Sequence, residues 1–165
     1  MRIMTALLAF SASLLVGCAS TGGEAALDAP QDIIEGVVMI VGAEPLTQAT
    51  VRTDAGEVID LVGPGAEGAG LLQGLDVRVT GALDDSGAQM EVSAIEVIRA
   101  DGVAALQGVL LVEEGRWYLQ LEEGRKLPLF NVGTQLQERA GERVWIAAPL
   151  NPAMGSWGKV PEGLP

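Results

Sequence analysis

The chain has 165 residues, with 22 acids against 10 bases, a formal charge of −12, no histidine and a single cysteine. That charge argues against nucleic acid, whose phosphates need Lys and Arg, and against lying on an anionic leaflet; it suits a cationic partner, divalent ions or plain solubility. Without histidine, the commonest general base and metal ligand is gone, and Ser-His-Asp and Cys-His catalysis go with it.

Arg2 is the only charge before the apolar run Ile3–Val16. The run suits a signal-peptide core and is short for a membrane span, which needs about 20 apolar residues. It leads to Leu15-Val16-Gly17-Cys18, which resembles the lipobox of bacterial lipoproteins. The resemblance implies a signal peptide over 1–17, removed on maturation. It also implies that Cys18 is the lipid attachment site, carrying acyl chains such as palmitate that anchor the protein to a membrane. Ala19 and Ser20 follow, with no Asp directly after the cysteine. The family's sorting pattern then points to the outer membrane of a bacterial envelope, with the chain facing the periplasm. Maturation leaves 148 residues, 22 acids against 9 bases, and no thiol for a disulfide, a metal or a nucleophile. Residues 18–31 are polar and small and read as a flexible tether. An ordinary signal peptide with a chance cysteine, or a short core helix, is the plainer alternative.

Beyond the tether, helical periodicity is almost absent. Short alternating runs broken by Gly, Pro and Asp predict strands. The first is IIEGVVMIV, 33–41. ATVRT, 49–53, and EVIDLV, 57–62, form a hairpin through Asp54-Ala55-Gly56, residues that suit a tight turn. GPGAEGAGLLQGL, 63–75, is too rich in Gly for a long helix and lacks the Gly-Lys-Ser/Thr ending of a phosphate loop. DVRVTGAL, 76–83, and QMEVSAIEVIRA, 89–100, flank the turn Asp84-Asp85-Ser86-Gly87, which lacks the spacing of an EF-hand calcium loop.

The same order then returns. ALQGVLLVEE, 105–114, echoes the first run with Gly108 for Gly36. RWYLQLEEGRKLPLF, 116–130, echoes the hairpin with Gly124 for Gly56. RAGERVWIAAPL, 139–150, echoes 72–83 with Gly141 for Gly74 and Leu150 for Leu83. The offsets are 72, 68 and 67 positions, so the differences fall in loops, as in a tandem repeat.

Each set has five strands with a connector between the third and fourth. This resembles the OB-fold, a five-stranded Greek-key barrel, and is similar to small bacterial envelope proteins with OB-type domains. The expected fold is all-β: two tandem five-stranded OB-like Greek-key barrels over 32–100 and 103–160, then a tail over 161–165. The second has a shortened last strand, SWGKV at 156–160, before Pro161 and Pro165. Its edge is open to another chain unless the prolines protect it. A single eight- to ten-stranded barrel or sandwich is the rival architecture.

No chemistry stands out. Ser20, Ser86, Ser93 and Ser156 sit in no Gly-x-Ser-x-Gly elbow, and the acid pairs Asp84-Asp85, Glu113-Glu114 and Glu122-Glu123 fall at turns, where acids are usually just solvated. No catalytic residue, metal site or cofactor is expected. The aromatics gather in the second set: Trp117, Tyr118, Phe130, Trp145 and Trp157. If Leu119 and Leu121 point inward, so does Trp117, and Tyr118 points out. If Val144 and Ile146 point inward, Trp145 points out, at the place Arg78 holds in the first set. An outward tryptophan needs cover from a ligand, a partner, the first set, or the C-terminal segment with Trp157. Tyr118, Trp145 and Trp157 are therefore the candidate contact residues. Tyr118 is the best placed, because OB-folds commonly bind through the outer faces of strands two and three. The expected function is a lipid-anchored, non-catalytic binding or scaffold module with an envelope protein partner. A periplasmic small-ligand or cation-binding lipoprotein is the alternative, and a carboxylate-dependent hydrolase the third.

Overall fold

The computed structural model describes residues 31–43, 45–147 and 155–161. The lipobox-like segment Leu15-Val16-Gly17-Cys18, most of the expected tether, Leu150 and the end of the expected tail lie outside the described residues. Ten strands follow in chain order: β1 Asp32–Ala43, β2 Leu46–Thr53, β3 Val58–Val62, β4 Asp76–Leu83, β5 Gln89–Ala100, β6 Val103–Glu113, β7 Arg116–Gln120, β8 Lys126–Leu129, β9 Arg143–Ala147 and β10 Trp157–Lys159. The glycine-rich connector holds two single-turn 3-10 segments, Pro64–Ala66 and Ala69–Leu72, and one short helix, α1, covers Thr134–Gln137. β4 shows why the strands form. Val77 and Val79 point into the core, while Arg78 and Thr80 between them face outward.

All ten strands join one hydrogen-bonded sheet. β1 pairs with β2 and β4, β2 with β3, and β4 with β5, all antiparallel. β3 then pairs with β5 in parallel, so each of these five strands has two neighbours within the set. The chain turns at Asp101-Gly102, and β5 continues into β6 through Arg99↔Ala104 and Ala100↔Val103. β6 pairs with β7 and β9, β7 with β8, and β9 with β10. The residues fill two apolar clusters. One is built on Val38, Val51, Val77, Met90 and Ile95, and the other on Leu110, Leu119, Leu136 and Ile146.

The second five strands reuse the bonding of the first at the offsets visible in the sequence. Gly74 N–H donates to Val38 O at 2.9 Å and Gly141 N–H to Leu110 O at 2.7 Å. Gly56 N–H closes its hairpin on Thr53 O, and Gly124 N–H does so on Leu121 O, both at 2.9 Å. Gly36 and Gly108 face the same constraint from the neighbouring strand. A Cβ on Gly36 would lie 2.2 Å from Arg52 O, and one on Gly108 would lie 2.4 Å from Gln120 O. Only glycine admits so close a backbone.

The closing pair is where the two halves part. Asp60 N–H donates to Ala88 O at 2.9 Å beside the parallel β3–β5 pairing. Asp60 lies opposite Thr50, and its counterpart Pro128 lies opposite Tyr118, the residue 68 positions on from Thr50. Proline has no N–H to give. β10 is three residues long, and among the described residues no β8–β10 pairing forms.

The β4–β5 turn is held by one side chain. Asp84 carboxylate oxygens accept the N–H groups of Ala88 and Gln89 at 2.9 and 3.0 Å and the Ser86 hydroxyl at 2.6 Å. The Ser86 hydrogen bond, followed by the Gln89 N–H, holds the Asp84 pKa below its ordinary value. A lowered folded value means the contribution is present above the usual Asp range and disappears as pH falls through the folded value. Asp84→Ala is thus expected to be less stable than wild type at neutral pH, with the gap narrowing as pH falls below about 3.9, in urea titrations at several pH values. Gly36→Ala and Gly108→Ala are each expected to cost about 1–3 kcal/mol in the same assay, and by similar amounts.

Candidate functional site

The outer faces of the two repeats carry a matched row of three residues. Across β1, β4 and β5 the row is Glu35, Arg78 and Glu96. Across β6, β9 and β10 it is Gln107, Trp145 and Gly158. In the first row Arg78 donates from Nε to Glu35 Oε1 at 2.9 Å and from Nη1 to Glu96 Oε2 at 2.9 Å. The Glu35 hydrogen bond, ahead of the charge on Glu96, raises the Arg78 pKa. All three side chains are about half exposed, so the pairs stabilise by no more than about 1 kcal/mol each. Their effect is to fix the guanidinium in place.

The second row is the joint between the repeats. Trp145 is 8% exposed and packs with Ala105, Ala147 and Val160 into the core of the first repeat. A Cβ on Gly158 would fall 2.7 Å from the indole Nε1, so the ring lies close against that glycine. Gln107, also 8% exposed, reaches β5 with both ends of its amide. Its Oε1 accepts the Val97 N–H at 3.2 Å, and its Nε2 donates to Ile95 O at 3.4 Å. These backbone groups lie on β5 between its pairings with β3 and with β6. The amide thus satisfies a strand edge that neither neighbour reaches. Pro161 reaches the first repeat as well, packing against Gly68 of the connector.

Beside the joint a groove of about 730 Å³ opens between the repeats. Arg78, Thr80 and Glu96 line it from the first repeat, and Val109, Gln120 and Arg143 from the second. Glu122, Glu123 and Arg125 of the β7–β8 turn complete it. Val109 and Gln120 are cross-strand partners. Two residues along, the next row on the same outer face is Leu111, Tyr118 and Pro128.

The three candidate contact residues among the described ones therefore sit in different surroundings. Tyr118 is half-buried on the outer face of β7, one row from the groove. The first repeat withdraws Trp145 from solvent. Trp157 is half-buried and packs with Trp117 against the second core. Cys18 lies outside the described residues. Thr50, in Tyr118's place on the first repeat, is fully buried. Among the described residues no group of three or more Cys, Asp or Glu side chains could hold a metal ion, and no helix is long and apolar enough to cross a membrane. No protein-family model, curated protein or solved structure matches the chain.

Sequence reasoning missed Gln107 and the groove. The signal within reach was Trp145 standing where the first repeat has Arg78. Trp145→Ala is expected to cost about 3–5 kcal/mol, and Gln107→Leu about 1–3 kcal/mol through the two stranded β5 groups, both measured by urea denaturation.

Proposed function

We propose that this chain is a lipid-anchored bacterial envelope protein acting as a non-catalytic binding or scaffold module, with the groove between its repeats as the binding site. In this reading each repeat is an OB-like barrel. The circuit β1-β2-β3-β5-β4-β1 supports that for the first, and the matching order β8-β7-β6-β9-β10, left open, supports it for the second. Lipidation at Cys18 and a periplasm-facing position on the outer membrane rest on the lipobox, Leu15-Val16-Gly17-Cys18.

The groove is the observation that carries the function. Its walls come from two repeats fastened by a buried tryptophan and a doubly bonded amide, so its shape is set before any ligand arrives. Preorganisation of this kind lowers the ordering cost of binding. The polar groups that converge there are mostly engaged with one another, as in a recognition surface.

The test is crosslinking in living cells, with a photo-reactive amino acid replacing Gln120 in the groove or Asp54 at the distant β2–β3 turn. The expected result is one reproducible protein adduct from position 120, absent from position 54 and absent in a Cys18→Ala background. Equal capture from both positions, or turnover of an envelope substrate that depends on Glu96 or Glu122, overturns the reading.

A further inference from the structure

Resting on the groove as the binding site, we propose that its occupant is an extended, cationic protein segment, with Arg or Lys set beside apolar residues. The distribution of charge decides the sign. Residues 32–100 carry twelve acids and three arginines, whereas 103–160 carry six acids and six bases. The groove lies where these two regions meet. Its own cations are already committed: Arg78 to Glu35 and Glu96, and Arg125 to Glu123 at 3.2 Å. Arg143 is partnered too. Glu122, by contrast, forms no ion pair among the described residues. An incoming anion has to break one of these pairs to find a cation. An incoming cation finds Glu122 without breaking any, and the long-range field of the acidic first repeat steers it inward.

The surface beyond the groove fits the rest of such a segment. From Val109 and Gln120 the outer face continues to the row Leu111, Tyr118 and Pro128. An arginine or lysine stem can lie along the aliphatic part of that row, with its charged head over the tyrosine ring. Successive same-face rows lie about 6.5–7 Å apart along the strands, the spacing of alternate residues in an extended chain, so a chain laid along them presents a different residue to each row.

The test uses the purified full-length protein in neutral detergent, titrated calorimetrically with three probes. These are a blocked Gly-Arg-Leu-Gly-Arg-Leu-Gly peptide, the same peptide with Glu for Arg, and chitotetraose. The arginine peptide is expected to bind at least about tenfold more tightly than the glutamate peptide, and to weaken about tenfold from about 50 to about 500 mM NaCl. Glu96→Gln combined with Glu122→Gln is expected to remove most of that preference. Asp54→Asn combined with Glu57→Gln, which removes the same charge far from the groove, is expected to leave it. Equal or tighter binding of the glutamate peptide or chitotetraose overturns the cationic assignment, and so does equal loss in both double variants. Failure of the arginine peptide to bind overturns it as well. The crosslink from position 120 reports separately whether the groove is still the site.

Discussion

Trp145 is the side chain on which the relation between the two repeats depends. It is anchored in β9 of the second repeat and buried in the core of the first. A tryptophan of this kind buries about 150–250 Å², worth about 4–6 kcal/mol as an upper value at about 25 cal/mol per Å². The half-exposed ion network at the same place on the first repeat is worth far less. Apolar burial therefore holds the repeats together, and the polar contacts set their register. Gln107 supplies that register, since its amide bonds Ile95 and Val97 only with β6 lying at one position along β5.

Two copies of one lattice have been put to opposite uses. Glu35 and Gln107 differ by a charge at one lattice position, Arg78 and Trp145 by a guanidinium against an indole, and Glu96 and Gly158 by a whole side chain. The charged set belongs in water. The uncharged set, with a glycine to seat the ring, belongs against protein. The groove follows from this asymmetry. It lies beside the joint, and its walls join the wet row of one repeat to the outer face of the other. Losing the joint removes one wall from the other, so stability and any groove function are coupled.

Much of this was legible in the sequence, and the limit has a physical reason. Alternation, slipping only at register shifts, marks β4 and β5, whose ends fall where the pattern predicts, at 76–83 and 89–100. The repeat was legible through glycines, because Gly36 and Gly108 meet the neighbouring strand's carbonyl and no other residue fits. The inward Trp117 and outward Tyr118 follow from Leu119. What was not legible is how the repeats dock. Alternation tells inside from outside within a sheet, but it says nothing about which outside face meets another. Gln107 reads as an ordinary outward polar residue until β5 is beside it. The cover over Trp145 had four candidates by sequence, and the packing selects two of them together: the first repeat, whose core cluster the ring joins, and the C-terminal segment, whose Gly158 and Val160 lie with it.

The open side of the second repeat follows the same logic. Among the described residues β10 is short and does not give β8 the partner that β3 finds in β5. An open edge invites another strand, but Pro128 stands where Asp60 offers the closing N–H. One residue thus both prevents closure of the second repeat and blunts the edge left behind. With that edge short of a donor, recognition by main-chain pairing is disfavoured there, and the outer face beside Tyr118 is left as the surface of the second repeat that can select a partner by its side chains. The proline that leaves the repeat open therefore favours the face over the edge.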